Sequence, residues 1–354
     1  MNASLQADLL EGLRTAGIIG PEDAAELAAE VPPPWWLAIS QGIAAWIASL
    51  MILSSFFVPL MAFGDGPLVR GLSGAVLTAA AIWLVRRDEV FASQMGLALS
   101  LAGQALLVSA VAGDGDWLRD ATLIAATGLL IATGMLVPKS DFLHRSACAL
   151  LALSYLAVLA GQGNWLVAYA VLLAAAAVAL WLRRSDWAGW PIASLPKAVA
   201  HATTVGALVA AWFVGGEAAG GALTWLGTHG AAPQALQTLY PAGVGLVLLA
   251  TVGWLSRDAA GLYRALWLLA AAGIALAAWR APGLVVSAAI LLAVFQACHR
   301  PWIAMALLAA LLYLGRLYYD LDSTLLVKSI SLAVTGLALL GLRFVLRRWA
   351  GAVT

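Results

Sequence analysis

Apolar residues run in stretches of roughly twenty between Trp36 and Arg348, separated by short turns of Gly, Asp, Pro and Arg. A helix of about 20 residues crosses a 30 Å hydrocarbon core. The pattern therefore predicts twelve spanning helices, at 36–62, 68–85, 91–112, 117–137, 143–160, 165–182, 195–216, 239–256, 262–279, 283–299, 301–318 and 324–346. The expected fold class is an all-α polytopic transmembrane bundle over residues 35–348. A helical hairpin at 1–34 precedes it, and a short tail at 349–354 follows.

Within the hairpin, Leu5, Leu9, Leu10 and Leu13 fall on one helical face. Gly20-Pro21-Glu22-Asp23 then starts a second short helix that ends before Pro32-Pro33-Pro34. Gly-rich turns recur at Gly64-Asp65-Gly66, Gly113-Asp114-Gly115-Asp116 and Gly161-Gln162-Gly163-Asn164. Trp-Arg helix ends recur at Trp83…Arg87, Trp181…Arg184 and Trp254…Arg257. Either a stacked hairpin repeat or the generic needs of tight membrane hairpins produces this pattern. The longest outward loop, about 217–238, is rich in Gly and Ala, and is read either as lying on the membrane or as dipping back into the bundle.

Composition agrees with lipid as the solvent: 63% of residues are hydrophobic and 10% charged, against about 25% charged in soluble domains. The net charge of +1 excludes a phosphate-neutralising nucleic-acid binder. Residues 1–34 are acidic and polar, so the first span is expected to be the targeting signal. Of the 19 lysines and arginines, five (Arg70, Arg119, Arg280, Arg316 and Lys328) fall on the outer side if the N-terminus is cytoplasmic, and the rest fall inside. Cytoplasmic loops carry the basic excess, so both termini are expected in the cytoplasm. Most tryptophans sit at helix ends, with Trp46 the exception, read as a packing residue. Cys148 and Cys298 lie in apolar helices, which argues against a disulfide framework.

Chemistry concentrates at two outward turns. In Arg316-Leu317-Tyr318-Tyr319-Asp320-Leu321-Asp322-Ser323-Thr324, Asp322 or Ser323 caps the last helix. Asp320, Thr324 and Lys328 share one edge by their four-residue spacing. Lys328 reads either as a lysine snorkelling to the acidic turn or as a binder of an anion or a partner's carboxylate. Asp114, Asp116, Arg119 and Asp120 form a second cluster, read as a solvated turn or a cation site. His144, His201, His229 and His299 are dispersed, with no ligand spacing for a metal. Gln104 and Gln296 read as interhelical hydrogen-bond glue. No cofactor and no catalytic motif is implied.

Tyr318-Tyr319-Asp320-Leu321, Thr324-Leu325-Leu326, Lys328-Ser329, Gly336, Leu339-Leu340 and Arg343 resemble the C-terminal signature of a bacterial multi-pass family. That family is known as domain of unknown function number four-four-zero-one. Gly17-Ile18-Ile19, Pro34-Trp35-Trp36 and Gly42-Ile43-Ala44-Ala45-Trp46 are similar to its N-terminal pattern. The resemblance implies pairing with a small membrane-anchored protein carrying a GDYxxLxY motif, and no established activity. The acidic residue that often precedes the lysine is replaced here by Val327.

Together these features lead to the expectation of a bacterial inner-membrane protein that is a non-catalytic subunit of a small complex. Arg316, Tyr318, Tyr319, Asp320, Thr324 and Lys328 form its periplasmic contact patch. A transporter or channel for a small solute, and an enzyme on a lipid-linked substrate at the outer leaflet, are the alternatives.

Overall fold

The computed structural model describes residues 11–17, 20, 35–63, 66–87, 89–113, 121–138, 142–162, 165–214 and 233–320. These hold α1 (Trp35–Phe63), α2 (Pro67–Val85), α3 (Val90–Ala112), α4 (Ala121–Gly134), α5 (Phe142–Gln162) and α6 (Leu166–Leu182). There follow the single turn α7 (Arg184–Ala188), then α8 (Ser194–Val214), α9 (Pro233–Leu255), α10 (Gly261–Ala277), α11 (Pro282–Gln296) and α12 (Arg300–Asp320). No strand occurs among the described residues.

Each predicted stretch from 36–62 to 301–318 coincides with one of these helices. The stretch 324–346, the short helix expected after Pro21 and the tail 349–354 lie outside the described residues. Among the described residues, six helices are long and apolar enough to cross a membrane. The helices α4, α6, α10 and α11 are apolar but shorter.

The outer surface agrees with lipid as the solvent. Leu172 is 67% exposed, Leu269 68%, Phe295 69% and Leu311 65%. Patches of this kind are rare on soluble monomers and ordinary against lipid tails. The chain is read as a helical membrane protein.

Several expectations change in detail. The long loop is shorter than 217–238, because α9 already starts at Pro233 and carries Pro241 inside it. A proline with its fixed φ suits a first helical position, and that signal lies within the stretch read as loop. Cys298 lies in the turn after α11, because that helix stops at Gln296 and not at residue 299. Near the N-terminus, residues 11–15 are helical and Gly17, at φ 69°, ends that helix in the left-handed conformation.

The chain divides into two compact units. The first is Met1–Asp65 with Val76–Ala102. Its core holds Ala81, Leu84, Ala92 and Leu99. The indole of Trp46 is 39% exposed and its Nε1 donates to Gln94 Oε1 at 3.4 Å, so this residue is more than the packing element expected. The second unit is Gly66–Ala75 with Gly103–Thr354. At its centre is α6, which packs against α5, α8, α9 and α11, while α12 packs on α11. Small residues make that approach possible: Ala170, Ala174 and Ala177 of α6 and Ala289 and Ala293 of α11 are all buried. Where lipid is as apolar as the helices, close packing rather than water exclusion drives association.

Candidate functional site

The second unit has two chemically distinct ends. At one of them, the last two turns of α12 are clamped to the last two turns of α8. The Tyr313 hydroxyl donates to the Leu208 carbonyl, and the Arg316 Nη1 donates to the Trp212 carbonyl. The Arg316 guanidinium also lies 4.9 Å from the centre of the Trp212 ring. The carbonyls at a helix C-terminus lack intrahelical partners and carry partial negative charge, so a guanidinium is a fitting cap. Arg316, expected in the contact patch, is therefore engaged in holding α12 to α8.

Beyond that clamp, Tyr318 and Tyr319 stand edge to face at 5.6 Å, and Tyr319 is 82% exposed. Asp320 closes α12. Thr324 and Lys328 lie outside the described residues, as do Asp114, Asp116, Arg119 and Asp120. The structure thus places Arg316, Tyr318, Tyr319 and Asp320 at the end of α12, while Thr324, Lys328 and the Asp114–Asp120 cluster lie outside the described residues.

The opposite end carries what sequence reasoning misses. Here the N-termini of α5, α8 and α12 meet the C-termini of α6 and α11, and two dispersed histidines become neighbours. His201 of α8 and His299, in the turn between α11 and α12, have ring centroids 5.5 Å apart. Trp181 packs on both, at 5.3 Å and 5.0 Å, and Trp302 lies 5.3 Å from His201. Phe142 closes the far side of His201 at 4.8 Å. Only the fold brings residues 98 positions apart into contact; a faint signal in the sequence is that both histidines fall near the same predicted membrane side.

Each member of this group is fixed. The indole N–H of Trp181 donates to Thr204 Oγ1 at 2.8 Å. The Nδ1 of His201 lies 2.7 Å from the Lys197 carbonyl, which can only accept, so the proton is on Nδ1 and Nε2 keeps its lone pair. Nδ1 of His299 is buried without a hydrogen-bond partner. Burial first, and then the positive charge of Arg184, hold the His299 imidazole below the ordinary histidine range, so it is neutral at neutral pH.

The turn that carries His299 is strained. Cys298 has φ 52°, a left-handed conformation that a side chain disfavours. Arg184 Nη1 donates to the Ala297 carbonyl at 2.7 Å, and the His299 amide donates to the Val294 carbonyl at 3.1 Å, fixing both flanks. A left-handed residue costs about 1–2 kcal/mol, while glycine gains unfolded-state freedom of about 0.4–1 kcal/mol. Cys298→Gly is therefore expected to stabilise the protein by about 0.5–1 kcal/mol. Thermal unfolding in detergent would read this as a raised Tm, and an unchanged or lowered Tm would refute the strain.

Cations gather at this end. Lys197 Nζ lies 4.8 Å from the centre of the Phe142 ring. Arg183 and Arg257 both lie over Trp254, at 5.7 Å and 4.9 Å. Arg145 donates to Ser194 Oγ and, at 3.1 Å, to the Pro138 carbonyl. Two of the three recurring Trp-Arg ends are thus cation–π contacts, Arg257 over Trp254 and, in the first unit, Arg87 over Trp83 at 4.4 Å. Trp181 instead packs on the histidines, and Arg183 reaches Trp254.

A separate buried cluster links α3 to α5. Gln104 Nε2 donates to Cys148 Sγ at 3.6 Å, and His144 Nε2 lies 3.7 Å from the same sulfur. Gln104 is the interhelical glue expected of it, whereas Gln296 is exposed. Both cysteines are free thiols. No group of three metal-ligating side chains occurs among the described residues.

A family model described as domain of unknown function (DUF4401) matches residues 34–349. No curated protein and no solved structure matches the chain.

Proposed function

This chain belongs to the DUF4401 family, and we propose that it is a non-catalytic multi-pass subunit of a small complex in the bacterial inner membrane. Twelve spans with both termini in the cytoplasm are part of that reading, with the corner after α12 facing the periplasm. The partner is a membrane-anchored protein, of the GDYxxLxY type that the family resemblance implies, and it docks at that corner.

One observation supports the docking corner above the rest. The clamp of Tyr313 and Arg316 onto α8 holds the end of α12, so the 82%-exposed Tyr319 and its neighbour Tyr318 form an aromatic pair on a fixed support. Aromatic residues with few rotatable bonds are the usual anchors of interfaces. Asp320 follows at once, and Lys328 comes eight positions after it in the sequence, which supplies charge for orientation.

The tagged chain, extracted in mild detergent, is expected to co-purify one membrane-anchored protein. Tyr319→Ala is expected to weaken that association about tenfold, with Asp320→Ala and Lys328→Ala each having smaller effects. Absence of any co-purifying membrane protein would end this reading. Fusions that report the corner after α12 in the cytoplasm would end it as well.

A transporter has one observation in its favour. Inside the second unit, the hydroxyls of Tyr240 and Ser287 are buried without hydrogen-bond partners, and Pro241, which lacks a backbone donor, lies within α9 beside the first of them. Buried polar groups and proline-containing helices are found along solute paths in membranes. Solute uptake by vesicles holding this chain alone would promote that reading.

A further inference from the structure

Arg184 and Lys197 lie close enough to the paired imidazoles for their charges to act on them, and Arg145 stands on the neighbouring α5. Yet among the described residues none of the three has a carboxylate within ion-pair distance. The ion pair found among those residues at this end joins Arg257 to Asp258, at 3.4 Å and largely exposed. Loops that only set membrane orientation need lysines and arginines near the headgroups, each free to snorkel by itself. The arrangement here is more constrained than that.

Arg184 is tied to the Ala297 carbonyl, and Arg145 to Ser194 and Pro138. Lys197 is seated on Phe142. His299 is presented by a strained turn with its Nδ1 buried and unpartnered. These donors come from four elements (α5, α7, α8 and the turn between α11 and α12); Arg184 and Lys197 lie near His299, whose ring packs on Trp181 beside Trp302. Held cations with no carboxylate partner among the described residues, beside an imidazole nitrogen without a hydrogen bond, form a cluster suited to an anion.

We propose that this end of the second unit binds a phosphate group, with Arg184 and Lys197 supplying the charge and His299 a hydrogen bond. Phosphate fits better than carboxylate because several non-coplanar donors from separate elements match a tetrahedral anion with several acceptor oxygens. A carboxylate would be satisfied by one planar guanidinium. The aromatic floor places the site at headgroup level, where basic clefts between helices take phospholipid headgroups. A phospholipid headgroup and a soluble phosphate ester share this chemistry.

The test uses the full chain purified in an uncharged detergent and titrated calorimetrically with short-chain phosphatidylglycerol, short-chain phosphatidylcholine and inorganic phosphate. Phosphatidylglycerol at least tenfold tighter than both others assigns the site to a lipid headgroup. Inorganic phosphate as tight as phosphatidylglycerol assigns it to a soluble phosphate. Arg184→Gln with Lys197→Gln is expected to weaken the tighter ligand roughly 25-fold, about fivefold for each cation. Arg257→Gln, whose charge is already paired, is expected to change it less than twofold.

The unmodified chain gives a second readout that needs no variant. Bound phosphatidylglycerol is expected to be displaced by inorganic phosphate but not by chloride at matched ionic strength. Equal displacement by both salts would leave only charge screening and overturn the site. So would a double variant that binds as tightly as the original, or a chain that binds neither phosphatidylglycerol nor phosphate more tightly than phosphatidylcholine.

Discussion

Trp181→Ala is expected to lower the unfolding free energy by about 2–4 kcal/mol, the largest loss from any one side chain at the basic end. The indole is 2% exposed and meets His201, His299 and Trp302 at once. In soluble cores, replacing a buried tryptophan by alanine costs about 3–5 kcal/mol, of which part is transfer from water. That part shrinks here, because separated helices still sit in lipid. The cavity and the lost dispersion contacts remain.

Trp181→Phe separates the two contributions. It keeps most of the ring and removes the hydrogen bond to Thr204, and such bonds in membrane proteins average about 0.6 kcal/mol. Denaturant titration of the two variants in one detergent checks both values. If Trp181→Ala loses no more than Trp181→Phe, the aromatic cluster is not holding α6, α8 and the α11–α12 turn together, and the platform beneath the phosphate site loses its basis.

Hydropathy makes the helices legible because lipid imposes one rule on every spanning segment: about twenty apolar residues with the backbone satisfied internally. That is why α5, predicted at 143–160, is found at Phe142–Gln162. The rule is silent on what happens at helix ends. It places the start of α9 too late, since Pro233 reads as a loop residue unless its use as a first helical residue is foreseen. It also carries α11 through to residue 299, where the chain has already turned at Ala297.

Sites made by contact between distant segments are less legible still. His201 and His299 look unrelated in the sequence because no spacing rule links two side chains on separate hairpins. The packing of α6 against both α8 and α11 is what unites them. Arg316 shows the reverse. Its place in an outward turn is visible, but its engagement with the α8 carbonyl is not, because a C-terminal carbonyl leaves no trace in the sequence.

Gly283→Ala is expected to destabilise the protein by about 1–3 kcal/mol, although the same exchange in an open helix stabilises it. A Cβ at Gly283 would fall 2.3 Å from Cδ1 and 2.7 Å from Cγ of Tyr313. Cγ is the root of the ring, so no rotation of a flexible tip relieves the contact. The ring itself is buried and fastened at its far end to Leu208. The clash must push α11 away from α12 or break the clamp on α8. At Gly273 and Gly315 a Cβ meets nothing within 4 Å. Alanine there is expected to gain up to about 1 kcal/mol from helix propensity alone. Tyr313→Ala removes the obstacle, so its double variant with Gly283→Ala should lose less than the two single losses combined, by about 1–2 kcal/mol. Thermal unfolding of the four proteins decides it. Strict additivity would mean that Gly283 and Tyr313 do not meet, and that the support proposed beneath Tyr318 and Tyr319 is not built by this packing.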